Sequence, residues 1–501
     1  MRERFSRWNL VVLSACLVAV LLPAAAQDAA SAYPFARETA NPTALDRYVA
    51  KPDPNYKWEL VRTDKEDGIT SYTIDMTSQQ WRTTKEVDRP VWQHWVTITV
   101  PDEVAYPTAM MFIDGGGNRR GAEPRGADNN MKRLARDTKT IAAAVYMIPN
   151  QPLKFTDGGG WGRSEDALIA YTWDKYYRTG GEEWPARLPM TKAVVRAMDT
   201  VQAFCASEAG GGHEVKDFVV AGGSKRGWTT WTTGIVDTRV RGMVPCVIDL
   251  VNLIPSFRHH YAVYGFWSLV IGDYQVLGIL DWLETPENAS LMKMVDPYYY
   301  FDRLKEMPKL MMNAGNDQFF VPDSWRFYWP DLGGPKWLRY MPNVGHGLDR
   351  QEAYATLASF HQAVASGAPI PNYTFEIAED GTTTVRLLPA SNGEVIQPSA
   401  VKLWQAHNPK ARDFRGGKAE YIPSPVQESE PGVYRVSVSP PEQGWIGYFV
   451  ELTFPGPKPE LPFKFTSGIR SVPDTTPAQY KHNPNPPKGF ITGQQNAAAA
   501  Q

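Results

Sequence analysis

The sequence predicts an α/β fold. A largely parallel sheet is covered by helices on both faces, with a cap insertion and a small all-β region at the carboxyl end. Three observations lead there. Ala109–Ile113 and Ile141–Met147 are continuous apolar runs without alternation, the pattern of strands buried on both faces. From about Ile141 onward such runs alternate with helical-period segments. Past Gly367 the helical period stops, and short strands follow between Gly, Pro and Asn turns.

Along the chain, Arg2, Arg4 and Arg7 precede the apolar run Leu10–Leu22, and Ala24-Ala25-Ala26 offers a cleavage site before Gln27. Residues 1–26 therefore read as a secretory leader, too short to span a bilayer. Leu13-Ser14-Ala15-Cys16 has the form of a lipoprotein box, but six apolar residues continue past Cys16, which favours cleavage after Ala26. The expectation is an exported protein, periplasmic or secreted, with no transmembrane segment. Residues 27–50 are polar and Ala/Pro-rich and read as an arm.

Residues 51–370 form the α/β part. Ser71–Met76, Trp92–Val100, Ala109–Ile113, Ile141–Met147, Asp217–Val220, Met243–Ile248, Leu310–Ala314 and Trp337–Tyr340 are its strands. Val194, Val195, Met198, Val201 and Phe204 mark a helix over 191–208, stopped by Gly210-Gly211-Gly212. The aromatic stretch 250–305 interrupts the alternation and is expected to be a cap. In the all-β region, 371–472, five strands suggest a small sandwich. The Pro- and Asn-rich residues 473–501 read as disordered.

At 501 residues the chain suits two domains better than one. A net charge of −2 gives no electrostatic argument for nucleic acid. After cleavage only Cys205 and Cys246 remain, either as one disulfide or as two buried thiols, and the sequence leaves both open. No His/Cys cluster has metal spacing, so neither metal nor cofactor is expected.

Three strand ends carry the chemistry. Gly222-Gly223-Ser224-Lys225-Arg226-Gly227 follows one strand, Gly315-Asn316-Asp317 a second, and Gly345-His346-Gly347 a third. Serine, acid and histidine appear in the chain order of α/β-hydrolases. Ser224 is the candidate nucleophile in a tight elbow whose small neighbours are glycines. The spacing is G-x-S-x-x-G, with Arg226 in the usual place of the second glycine. Asp317 is the candidate acid, with Asp249 as competitor, and His346 the candidate base. Gly115-Gly116-Gly117, after an earlier strand, and the N–H of Lys225 are the candidate oxyanion hole. The side chains of Lys225 and Arg226 are candidates for binding a substrate carboxylate, the alternative being that both face solvent. His259 and His260 are candidates for lining the pocket, or a solvated pair. The expected partner is a small-molecule, glycan- or peptide-derived ester.

Asp317–Ser324, Pro335–Asn343, Glu165–Trp173 and Gly222–Gly227 together resemble the PhoPQ-activated pathogenicity-related proteins, a family that includes autocrine proliferation repressor proteins. The resemblance covers about residues 45–470 and implies an exported protein with a hydrolase fold, without fixing a substrate. Where members often carry Gly-Asp-Glu-Phe-Phe, this chain has Asn316-Asp317-Gln318-Phe319-Phe320, so the acid is kept and its neighbour is neutral. The Gly-x-Ser-Lys pattern is also distantly similar to carboxylic-ester hydrolases such as glucuronoyl esterases. Two functions follow as expectations: a serine hydrolase acting on carboxylic esters, or a secreted binding or signalling protein on a hydrolase fold with little turnover.

Overall fold

The computed structural model describes residues 33–118 and 126–493. The expected leader, its Cys16 alternative and the last eight residues lie outside the described residues.

Nine strands form the main sheet: β1 (Lys57–Glu66), β2 (Ile69–Gln80), β3 (Val91–Pro101), β4 (Thr108–Ile113), β5 (Ala142–Val145), β8 (Asp217–Gly223), β9 (Val240–Cys246), β10 (Lys309–Ala314) and β11 (Lys336–Met341). The numbers β6 (Leu153–Lys154) and β7 (Gly162–Arg163) belong to a short separate hairpin. The spatial order is β1-β2-β3-β5-β4-β8-β9-β10-β11. The first three strands pair antiparallel, and β5 through β11 are parallel. β10 is buried at every position and β4 at all but one, as expected of strands covered on both faces.

From β4 the chain moves outward through α2 (Asn129–Thr138) to β5. It then returns through α3 (Glu165–Thr179) and α4 (Arg187–Ala206) to β8, on the other side of β4. This reversal is a topological switch point, which opens a crevice at the carboxyl ends of β4 and β8. Ile113 pairs with Gly222, so the Gly115–Gly117 turn and Ser224 leave the sheet side by side. The whole is an α/β-hydrolase fold with an antiparallel β-rich carboxyl region.

Between β9 and β10 the aromatic stretch is helical: α6 (Leu253–Tyr264), α7 (Gly272–Val276), α8 (Pro286–Val295) and short 3₁₀ turns. After α9 (Arg350–Ser366) come two antiparallel sheets. One is β12 (Asn372–Ile377), β13 (Thr382–Leu388) and β16 (Val433–Ser437). The other holds β14 (Ala400–Asn408), β15 (Ile422–Pro425), β17 (Trp445–Lys458), β18 (Leu461–Thr466) and β19 (Arg470–Val472). These exceed the five strands expected: β15, exposed at all four positions, and β19, three residues long, carry no alternation to read, whereas β18 does alternate at Leu461, Phe463 and Phe465. The second sheet docks on the main one: the Thr466 hydroxyl accepts from Tyr340 N–H at 3.0 Å, and Ser359 on α9 donates to Leu461 O at 2.8 Å. Phe375, Val385 and Phe465 belong to the same apolar core as Val96 and Leu310.

Two terminal expectations are corrected. The arm ends in α1 (Ala44–Ala50), started by a Thr43/Asp46 capping box, and the buried Tyr33 hydroxyl donates to Asp237 at 2.9 Å. Residues 473–493, expected to be disordered, lie on the helical insertion. Tyr480 packs edge-on to Tyr261 at 5.9 Å and Phe490 to Tyr176 at 5.4 Å, while the Glu287 carboxylate accepts from the N–H groups of Ile491 and Thr492. Aromatic anchors spaced ten residues apart supply the burial that the Pro/Asn composition conceals. No helix among the described residues is long and apolar enough to cross a membrane.

Candidate active site

Ser224 sits between β8 and α5 (Lys225–Val236) at φ 57°, ψ −122°, outside the regions that L-residues favour. Such a conformation stores on the order of 1–3 kcal/mol and persists only where its surroundings hold it. Ser224 N–H donates to Cys246 O at 2.8 Å, tying the elbow to β9. A Cβ on Gly222 would meet Arg226 O at 2.9 Å, and one on Gly227 would meet Cys246 O at 2.7 Å, so both positions require glycine. A Cβ on Gly223 would meet only Val247, at 3.9 Å. The shifted spacing is thereby explained: Gly227 makes the close approach to β9, leaving position 226 free for a long side chain.

Across the same edge of the sheet, His346 Nδ1 lies 2.9 Å from Asp317 Oδ2 and 3.1 Å from Oδ1. Asp317 is itself aimed by the N–H groups of Phe319 and Phe320, which donate to its Oδ1 at 2.7 and 3.3 Å. Phe319 lies against the imidazole with ring centres 4.3 Å apart. With Nδ1 engaged, His346 Nε2 is buried and carries no hydrogen-bond partner among the described residues. The competing acid, Asp249, hydrogen-bonds no histidine among the described residues. Its oxygens accept from Tyr328 at 2.7 Å and Tyr340 at 2.5 Å, and burial pushes its carboxyl up to about 7.

In the Gly115–Gly117 turn, Gly115 N–H donates to Asp114 Oδ1 at 2.7 Å. Its carbonyl accepts from Met147 N–H at 2.9 Å. Gly116, at φ 116°, is in a conformation that glycine alone adopts readily. Lys225 N–H opens α5, where the first amides have no partner within the helix.

The two cations beside Ser224 are not free to meet a substrate. Arg226 donates to both oxygens of Glu165 at 2.8 and 2.6 Å and to Ile148 O at 2.5 Å. Lys225 Nζ lies 3.0 Å from Asp166 and 3.2 Å from Glu165. Burial pushes Glu165 upward, but its hydrogen bonds and charge contacts with Arg226 and Lys225 outweigh that and hold it at about 2. The carboxylate-binding expectation for Lys225 and Arg226 is therefore corrected: two acids at the start of α3 already neutralise them. The sequence signal was present, since the Glu165-Asp166 pair matches the Lys225-Arg226 pair in number and opposite sign. Its 60-residue separation hid it.

His259 and His260 are corrected as well. His259 Nε2 is 2.8 Å from the buried Asp323, which also meets Arg412 at 2.5 Å and Arg326 at 2.9 Å. Burial alone raises the Asp323 carboxyl, but His259, Arg412 and Arg326 hold it well below its ordinary value. His260 is packed among Phe257, Tyr264 and Trp267 and accepts from Ser268 N–H at 3.1 Å, and burial lowers it to about 3. His259 ties the helical insertion to the segment after β10, and His260 packs within the insertion. Cys205 and Cys246 are separate buried thiols, each pushed up to about 12 by burial.

A cavity of about 1040 Å³ lies elsewhere, at the amino ends of β10 and β11, bordered by Pro308, Pro335, Trp329 and Phe375. Its Trp329 ring stacks with Phe375 at 5.4 Å and meets Lys336 Nζ at 4.4 Å.

The sequence matches the PhoPQ-activated pathogenicity-related protein family over residues 45–415. It is 37% identical over 458 residues to autocrine proliferation repressor protein A of Dictyostelium discoideum, covering 87% of this chain and 91% of that protein. Among solved structures it is similar to acetyl xylan esterase 1 from Thermoanaerobacterium sp., at 15% identity and TM-score 0.43, covering 64% of this chain and 92% of that one. A glucuronoyl esterase from Solibacter usitatus is similar at 12% identity and TM-score 0.37, covering 66% and 88%. At these scores neither structure bears on the chemistry, and the fold rests on the strand order and connections described above.

Proposed function

This chain belongs to the PhoPQ-activated pathogenicity-related protein family, and on that premise we propose that it is an exported serine hydrolase acting on carboxylic esters. One observation carries the reading. Asp317 holds His346 Nδ1 and leaves the buried Nε2 unpartnered, on the edge of the sheet where the strained Ser224 elbow emerges. Export rests on the basic and apolar pattern of residues 1–26.

In this mechanism Ser224 Oγ attacks the ester carbonyl carbon as its proton passes to His346 Nε2. Asp317 fixes the tautomer and stabilises the imidazolium. The oxyanion is held by Lys225 N–H and by the amides of Gly116 and Gly117, since Asp114 occupies that of Gly115. Collapse breaks the C–O bond, and His346 returns its proton to the departing alcohol. A water then gives its proton to His346 and attacks the acyl-serine; collapse breaks the bond to Ser224 Oγ, His346 returns the proton to that oxygen, and the acid is released.

The test is labelling of the mature protein with a fluorophosphonate. Labelling of the wild type that vanishes in Ser224→Ala supports the reading; a folded wild type that stays unlabelled overturns it. The relative's printed name, a proliferation repressor, favours a second reading as a secreted regulator. Full retention of a biological effect in Ser224→Ala would support that reading.

A further inference from the structure

The carboxyl β-region reaches back into the site. Between β14 and β15, residues 409–421 cross the carboxyl ends of β10 and β11, immediately behind the two loops that carry Asp317 and His346. Asn316, next to Asp317, donates its amide to Phe414 O at 2.5 Å and Ala419 O at 3.0 Å. Asn343, three residues before His346, makes a two-point clamp on one backbone unit: its amide donates to Tyr421 O at 2.9 Å, and its carbonyl accepts from Tyr421 N–H at 2.7 Å.

The clamp matters because the His346 loop is strained. Asn343 (φ 59°) and Leu348 (φ 55°) both have left-handed backbones and bracket the histidine. Non-glycine residues keep such conformations only where neighbouring structure over-determines them. From the Asp317 loop, Gln318 Oε1 accepts from His346 N–H at 2.9 Å, Gly345 admits that side chain, and Asn316 N–H donates to Val344 O at 3.1 Å. From the carboxyl β-region, the loop is held through Tyr421, which is almost fully buried.

We infer that residues 409–421 position the acid and the histidine, with Asn343 and Asn316 as the positioning residues through which the β-region acts. The β-region is then part of the catalytic unit rather than an appended binding module. This rests on the reading of Ser224, Asp317 and His346 as the reacting groups.

The experiment is steady-state kinetics of the full mature chain on a soluble p-nitrophenyl ester, with the rate of fluorophosphonate labelling as a second readout. Asn343→Gly keeps the left-handed backbone and removes both hydrogen bonds. The expected result is a fall in kcat of ~10- to 100-fold, the scale of a misplacement of about 1 Å. KM stays within about twofold, and labelling slows by a similar factor. Asn343→Asp keeps the acceptor half of the clamp and is expected to lie between Asn343→Gly and wild type. Glu379→Ala, an exposed change in the β12–β13 turn and outside that segment, is expected to leave kcat unchanged. Circular dichroism checks that each variant is folded.

If Asn343→Gly and Asn316→Ala fold with wild-type kcat while Ser224→Ala is inactive, the positioning role is overturned and the catalytic reading survives. If Ser224→Ala keeps full activity, the catalytic reading itself fails. A rise in KM with kcat unchanged would make the segment a substrate wall and would also overturn the positioning role.

Discussion

Asp249→Asn is expected to stabilise the protein at neutral pH, by an amount set by the burial of this carboxyl. Asp249 is 3% exposed, and burial, partly opposed by hydrogen bonds from Tyr340 and Tyr328, raises it from 3.8 to about 7. Below about pH 4 both folded and unfolded chains hold the proton, and the group is neutral in both. Between about 4 and 7 the unfolded chain releases it and the folded chain does not, so stability falls as pH rises. At ~1.4 kcal/mol per pH unit, the span of about 3 units comes to ~4 kcal/mol, complete above about pH 7.

Asparagine removes the titration but can still accept from one tyrosine and donate to the other. Urea unfolding of wild type and Asp249→Asn at pH 5, 6, 7 and 8 reads the difference between them. The first unfolding transition of the variant should gain ~3 kcal/mol on the wild type between pH 5 and 7, then run parallel to it. A difference that stays constant from pH 5 to 8 would refute the argument, because it would mean that Asp249 is ionised in the folded protein throughout.

Asp317→Asn should lower kcat by ~10³- to 10⁴-fold with little change in stability, because the amide favours the wrong imidazole tautomer; ester kinetics check this. Gly227→Ala should lose ~1–3 kcal/mol of stability and most labelling of Ser224, because its Cβ would sit 2.7 Å from Cys246 O; thermal unfolding measures it. Glu165→Gln should matter above about pH 4.5 and cease to matter as pH falls toward 2. The folded-state value is depressed, so its stabilisation is present above the unfolded value and lost on acidification. With the side chain 40% exposed, solvent screening reduces the effect to ~1–2 kcal/mol, measurable by urea unfolding at pH 7 and 3. Cys205 and Cys246 should react with Ellman's reagent only after unfolding, two thiols per mature chain.

The sequence by itself determined the elements whose signals are local. Runs apolar on both faces marked β4 and β5, helical spacing marked α4, and glycines around Ser224 and His346 marked turns at strand ends. Each depends on residues within a few positions of one another, so side-chain volume and backbone freedom are legible directly. The order of Ser224, Asp317 and His346 was legible for the same reason, as was the family resemblance.

Only the tertiary structure decided which charges meet. Asp249 and Asp317 both follow strands, but only Asp317 reaches His346. Asp249 is enclosed by two tyrosines from elements some 80 and 90 residues away. Lys225 and Arg226 read as free cations until α3 brings Glu165 and Asp166 across the switch point. His259 and His260 read as a solvated pair until α6 buries them, one against Asp323 and one among aromatic rings. Residues 473–493 read as disordered by composition, yet Tyr480 and Phe490 find rings far away in the chain. In each case the deciding term is burial or ion pairing between distant segments. Its size depends on local exposure and a few ångströms of separation, neither of which is written in the order of the residues.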